Sequence, residues 1–197
     1  MIKLILSDLT GVVIIGGHKK LCKLLADKYN LDSDKLYAVI YTEYFNKFAT
    51  NQISEEKAYS EPIKIFGLKE TVQELTDMYL HTHTINQPMV DLFKSLKNNY
   101  NLVLLTKNYK PYLDWEIKEF GLKEIFSEFI NTSEINLPKA SRETLNYVLN
   151  KFKLKPEEIL YIDDQEENLV DAREMGFKTI FYQDFEQVKN ELLVIVE

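Results

Sequence analysis

A single cysteine, Cys22, stands among the 197 residues, so no disulfide can close within the chain. Its sparing use fits a reducing compartment. Cys22 lies in Lys19-Lys-Leu-Cys-Lys-Leu-Leu25, a helical pattern in which a buried structural thiol is expected rather than a nucleophile. No apolar run approaches the roughly 18 residues that a membrane-spanning helix needs. The first residues carry neither a basic lead nor a cleavage site. Cationic residues are in the minority, 24 Lys and Arg against 31 Asp and Glu. The resulting net charge of −7 argues against nucleic acid or an anionic membrane as the main partner. Internal repeats and low-complexity segments are absent too. These absences together lead us to expect a soluble, cytoplasmic protein.

What remains is enough for a sizeable core: 45% of the residues are hydrophobic, with 12 Tyr and 11 Phe. The length suits one α/β domain carrying a smaller insert. The chain is organised around its opening stretch, Met1-Ile-Lys-Leu-Ile-Leu-Ser-Asp-Leu-Thr-Gly-Val-Val13. Met1–Leu6 is apolar without alternation, the pattern of a strand buried on both faces. Asp8 arrives where that strand should end, followed by Thr10 and the permissive Gly11. Ligand chemistry in open α/β sheets gathers at the carboxyl ends of strands.

After Val12–Ile15 the Gly16-Gly17 pair predicts a hinge. From His18 to about His83 the pattern is helical: His18–Tyr29, a helix from Asp32 to about Phe48, a third from Ser54 interrupted at Pro62 and closed by Gly67, and a fourth over Glu70–Leu80. Past Pro88 helices alternate with strands, the strands falling at Leu102–Thr106, Phe126–Ile130, Ile159–Ile162 and Lys178–Tyr182. Short joins between them imply right-handed crossovers and a doubly wound, Rossmann-like parallel sheet. The expected organisation is therefore an α/β core over 1–15 and 86–197, with a helical cap inserted over 16–85.

Four polar features fall after strands or beside the sheet: Asp8-Leu-Thr10, Thr106-Lys-Asn108, Lys139 and Asp163-Asp164. Each has an ordinary explanation alone, as a turn residue, a helix cap or a solvated lysine. Parallel strands bring all four to one edge. Neighbouring carboxylates repel unless a cation is present, and Mg²⁺ takes oxygen ligands and bridges carboxylate to phosphate. A Thr hydroxyl and a Lys ammonium can hold further phosphoryl oxygens, leaving one carboxylate to attack phosphorus.

With these motifs the sequence resembles the haloacid dehalogenase superfamily of phosphohydrolases, in its small-capped branch that includes the epoxide-hydrolase N-terminal phosphatase domain. The resemblance rests on Ser7–Val13, Leu104–Asn108, Leu137-Pro-Lys-Ala140 and Ile162–Asn168 running into Ala172–Gly176. It implies Asp8 as nucleophile and Mg²⁺ ligand, the carbonyl of Thr10 and Asp164 as further ligands, and Asp163 with Asn168 supporting the metal. It also implies that Thr106 and Lys139 hold the phosphoryl group, with Lys107 and Asn108 beside them.

Family phosphatases carry aspartate two residues after the nucleophile, as acid and base; here the position is Thr10. A threonine hydroxyl cannot exchange protons near neutral pH as a carboxylate can, and that assistance is typically worth about 10²–10⁴-fold. P-type ATPases of the superfamily share the threonine and keep a longer-lived aspartyl-phosphate. The usual Lys-Pro order is also reversed, as Pro138-Lys139. The expectation is a slow Mg²⁺-dependent phosphatase acting on a small phosphorylated metabolite, as monomer or homodimer. Competing readings are a non-catalytic phospho-ligand binder and a haloacid dehalogenase, the last disfavoured by the Asp163-Asp164 pair. His18, expected as an exposed loop residue, is a candidate substitute proton donor. His81 and His83 are expected to be solvated. Tyr37, Tyr41 and Tyr44 either pack internally or line the mouth of the site.

Overall fold

The computed structural model of the chain describes residues 1–196. In chain order the first elements are β1 (Leu4–Ser7), β2 (Ile14–Ile15), α1 (His18–Tyr29), α2 (Ser33–Tyr37), a π-helix (Ala38–Phe45), α3 (Asn46–Ala49), α4 (Glu55–Phe66), α5 (Val72–His81) and β3 (Thr84–Ile85). There follow α6 (Gln87–Leu96), β4 (Asn101–Thr106), α7 (Lys110–Glu119), β5 (Glu128–Asn131), α8 (Thr132–Ile135), α9 (Arg142–Phe152), β6 (Ile159–Asp163), α10 (Val170–Met175), β7 (Lys178–Phe181) and α11 (Phe185–Val196). No helix of the described residues is long and apolar enough to cross a membrane. The chain divides into two compact units, Met1–Ile14 with Ile85–Glu197, and Ile15–Thr84.

The first unit is built on a five-stranded sheet of order β5-β4-β1-β6-β7, with every pairing parallel. Successive side chains of a strand point to opposite faces, and here both faces are buried. Ile5, Leu102, Leu104, Leu160, Ile162 and Ile180 share one apolar cluster with Phe93 of α6, Leu113 of α7 and Val188 of α11. Leu4, Leu6, Val103, Leu105, Ile130 and Tyr161 share another with Leu145 and Val148 of α9 and Ala172 of α10. That double burial explains the unbroken apolar runs. The chain winds from central β1 outward through β4 to β5, then returns to the other side of β1 for β6 and β7. A reversal of this kind opens a crevice at the carboxyl ends of the strands.

The second unit is helical, with some differences from the sequence pattern. The helix expected over Asp32–Phe48 starts as expected, since the Asp32 carboxylate accepts the backbone N–H groups of Asp34 and Lys35. Its middle widens into the π-helix, and α3 completes it. Pro62 does not interrupt α4, which runs on to Phe66 with Pro62 buried. The ends compensate for the missing N–H: Ser54 caps the start, and Gly67 in the left-handed conformation closes the finish. In the first unit, Phe126 and Ser127 precede β5 instead of opening it.

His18 and His83 correct the sequence expectation most clearly. His18 is the first residue of α1 and is 6% exposed, as is His83. The His18 ring lies 4.1 Å from that of Phe45, 4.2 Å from Tyr79 and 5.1 Å from Tyr41, and the His83 ring meets Tyr79 edge-on at 4.8 Å. His81 is exposed. Burial, with neighbouring His83, holds His18 well below its ordinary 6.5; burial, aided by Lys20, lowers His83 to about 4. His18 is thus a neutral packing residue, unsuited to donating a proton. Tyr37 and Tyr41 stack on each other at 4.9 Å, and both are half-buried.

A folded-state pKa below the unfolded value gives stability that is present above pH 6.5 and lost as pH falls through the folded value. Stability should therefore drop between pH 6.5 and about 4. His18→Phe, which keeps the ring contacts, should lose less stability than wild type over that window. Urea unfolding at pH 7 and pH 4.5 measures both; parallel losses would contradict the assignment.

Candidate active site

The sheet delivers the polar residues to one edge. Asp8 follows β1 directly, and its backbone N–H donates to the Ile162 carbonyl at 2.9 Å. Thr106 ends β4, Asn131 ends β5 opposite it, and Asp163 ends β6. Asp8, Thr106 and Asp163 are all buried, at 3%, 4% and 0% exposure.

Lys139 reaches this edge from the loop before α9. Its ammonium lies 2.7 Å from Asp8 Oδ2 and 3.1 Å from Asp163 Oδ2, with the lysine side chain 13% exposed. Asp8 Oδ1 accepts the Leu9 backbone N–H at 2.7 Å. Burial pushes the Asp8 carboxyl up to about 7; Lys139 pulls against this, while Asp163 and Asp164 add to it. Burial disfavours the Lys139 ammonium, but Asp8 and Asp163 outweigh it and the net shift is upward. The lysine is therefore a fixed cation.

Asp163 is saturated. Its Oδ1 accepts from the Gln165 backbone and from Asn168 Nδ2, both at 2.9 Å, and its Oδ2 accepts from the Tyr161 hydroxyl at 2.6 Å and from Lys139. A carboxylate so occupied orients its neighbours more readily than it turns to a metal. Asp164 stands beside it, and one carboxylate oxygen each from Asp8, Asp163 and Asp164 lie within 4.8 Å of one another. Asp8 and Asp164, backed by Asp163, offer oxygen ligands that could hold a metal ion of the Mg²⁺ kind. The backbone is shaped to admit Asp164: Gly11 has φ +101°, and a Cβ there would run into the Asp164 carboxylate. Thr10 is half-buried in the same turn and bridges to Ile14. Next to Lys139, Ala140 adopts φ +58°, a left-handed conformation costing a non-glycine residue roughly 1–2 kcal/mol. Such strain persists where surrounding structure over-determines it, commonly at functional sites.

The loop after β4 departs from the expectation for Asn108. Its side-chain Nδ2 donates to Glu116 Oε2 at 2.8 Å, and its backbone N–H donates to Asn131 Oδ1 at 3.1 Å. Asn108 is thus turned inward, 3% exposed, as an anchor of the loop rather than a phosphate donor. Lys107 is half-buried; burial lowers its pKa, Lys139 lowers it further, and Asp8 opposes both.

Comparison with known proteins bears on this geometry. The profile of the haloacid dehalogenase-like hydrolases matches residues 14–182, most of the chain. The chain belongs to that family. The matched span begins after Asp8, so the first strand and its carboxylate rest on the geometry above. This HAD-like hydrolase is 27% identical over 130 residues to bifunctional epoxide hydrolase 2 of Rattus norvegicus, covering 62% of the chain and 23% of the relative. It spans under a quarter of that relative's length. Over its full length it is 21% identical to a D-ribitol-5-phosphate phosphatase of Bacteroides thetaiotaomicron, covering 99% of that protein. Its fold matches a HAD family enzyme of the same organism, solved with magnesium and inorganic phosphate as an Asp-to-Ala mutant. The TM-score is 0.75 at 20% identity, over 93% of this chain and 95% of that one.

Three supporting residues of the HAD-like hydrolase escaped the sequence reading: Tyr161, Asn131 and Glu116. Tyr161 reads as an ordinary apolar strand residue, and only the fold shows its hydroxyl aimed at Asp163. Glu116 carried a signal, since it falls three and four residues after Leu113 and Tyr112 on the buried face of α7. Burial pushes its carboxyl up to about 8, opposed by the Asn108 bond.

A carboxyl raised from 4.5 gives stability fully present below pH 4.5 and lost as pH climbs through about 8. Glu116→Gln should remove roughly 2–4 kcal/mol of that decline. Denaturant unfolding at pH 5 and pH 8.5 is the measurement, and an undiminished decline in the variant would exclude a neutral Glu116.

Proposed function

We propose that this HAD-like hydrolase is a Mg²⁺-dependent phosphatase for small phosphate monoesters, working through an aspartyl-phosphate on Asp8. The observation that carries the reading is the buried Asp8 carboxylate held between the Lys139 ammonium and the Asp163-Asp164 pair. Asp8, Asp164 and the Thr10 carbonyl would hold Mg²⁺, whose contribution when bound is to neutralise the charge that carboxylates and phosphoryl oxygens bring together. Lys139 favours the ionised form of Asp8 and holds it in place, and Asp163 keeps Lys139 in place. Thr106, with Lys107, takes the phosphoryl oxygens. An Asp8 oxygen bonds to phosphorus as the bond to the ester oxygen breaks, the departing oxygen taking its proton from solvent. Water then attacks phosphorus, gives its proton to solvent and breaks the Asp8–phosphorus bond, releasing phosphate and restoring Asp8. The inserted helical unit, residues 15–84, is proposed as the cap.

Thr10 supplies no proton to the departing oxygen and no base to the water, so turnover is slow. That same residue favours a second reading, a phosphate-binding protein without turnover. The two part on Mg²⁺-dependent phosphate release from an aryl phosphate. Asp8→Asn should be inactive and Thr10→Asp about 10- to 100-fold faster than wild type. Wild-type and Thr10→Asp proteins that are equally inert, yet bind phosphate with Mg²⁺, would establish the second reading instead.

A further inference from the structure

The ladder between β4 and β5 ends at the pair Thr106 and Asn131. Beyond it the two chains diverge, one into the Thr106–Asn108 loop and the other into α8 and on to Lys139. The side chain of Asn131 spans the gap. Its Nδ2 donates to the Asn108 carbonyl at 2.9 Å, and its Oδ1 accepts the Asn108 N–H at 3.1 Å, so one planar amide grips both polar groups of that residue. The same Oδ1 accepts the Ser133 N–H at 3.3 Å, capping α8. Asn131 is 2% exposed and Asn108 3%, so water is no ready substitute.

Only an amide of this length offers donor and acceptor together: a carboxylate lacks the donor, and a hydroxyl is too short to reach both groups. The two segments that Asn131 ties are those bearing Thr106 and Lys139. Each is also fastened elsewhere. Glu116 takes the Asn108 side chain at 2.8 Å, and Thr144 Oγ1 donates to the Pro138 carbonyl at 2.7 Å, next to Lys139.

We propose that Asn131 is a positioning residue that joins the Thr106 loop to the Lys139 segment and fixes the spacing of these two groups around one phosphoryl group. The phosphoryl part rests on the phosphatase reading above; the joint itself does not. Asn131→Ala should speed amide hydrogen exchange at Asn108 and Ser133 by about tenfold or more while Leu104 and Leu105 keep their protection. Asn131→Ser is the companion variant, because serine still caps a helix but falls short of Asn108. It should fold, protect Ser133 and lose protection at Asn108.

The ligand readout is calorimetric titration of inorganic phosphate with Mg²⁺ present. Both variants should bind about tenfold more weakly, and in a Thr106→Ala background the further loss should be smaller, since part of the effect of Asn131 passes through Thr106. Additive losses, or unchanged affinity in folded Asn131→Ser, would overturn the positioning role. Unchanged exchange at Asn108 would overturn the joint. Wild-type protein that neither binds phosphate nor hydrolyses an ester would remove the phosphatase reading and the phosphoryl part with it, while exchange would still decide the joint.

Discussion

The structure turns on one buried ion chain, Asp8–Lys139–Asp163. Two carboxylates and an ammonium, none of them more than slightly exposed, share one edge of a sheet whose two faces are apolar. Buried charges persist only when paired and hydrogen-bonded, and removing one partner strands the other. That requirement accounts for much of the local architecture. β1 lies between β4 and β6, so Asp8 emerges beside Asp163. Tyr161 is the polar exception among the inward-facing residues of β6, and its hydroxyl fills a lone pair of Asp163. The loop carrying Lys139 accepts a left-handed Ala140 to bring the ammonium in.

The same edge breaks several local rules at once: a positive-φ glycine with no room for a methyl group, a strained alanine, a buried lysine and a buried carboxyl on α7. Sequences that fold well tend to agree with their structure at every level, and departures concentrate where function demands them. Their gathering at the carboxyl ends of a parallel sheet is what a binding and reaction site looks like in physical terms. Thr10 fits that picture unevenly. On the phosphatase reading proposed above, the groups that gather and hold negative charge are present, while the one that would move protons is not.

Much of the sheet was legible because it depends on local pattern. Apolar runs without alternation announced strands buried on both faces, and the placing of Asp8, Thr106 and Asp163 after such runs put them on a common edge. Lys139 was legible only as a member of a motif, since no strand of its own delivers it. What stayed hidden depends on contacts distant in sequence. His18 and His83 lie 65 residues apart, and nothing local tells either that aromatic rings will enclose it. Pro62 looked like an interruption of its helix because proline usually is one; the well-capped termini of α4 and the burial of the ring override that preference. Asn131 carries no mark in the sequence at all. Its importance lies in what the next strand's loop leaves unpaired, which no window of sequence contains.

The lone cysteine has a use that its chemistry does not advertise. Cys22 is fully buried in α1, and burial pushes its thiol up to about 12, so it resists the reagents that seek thiolates. It belongs to the helical unit, whereas the ion chain belongs to the α/β unit. Covalent labelling of this thiol is therefore a clock for any opening that uncovers α1 of that unit. Run beside any measurement at the Asp8 edge, it separates a helical unit that loosens from a site that fails.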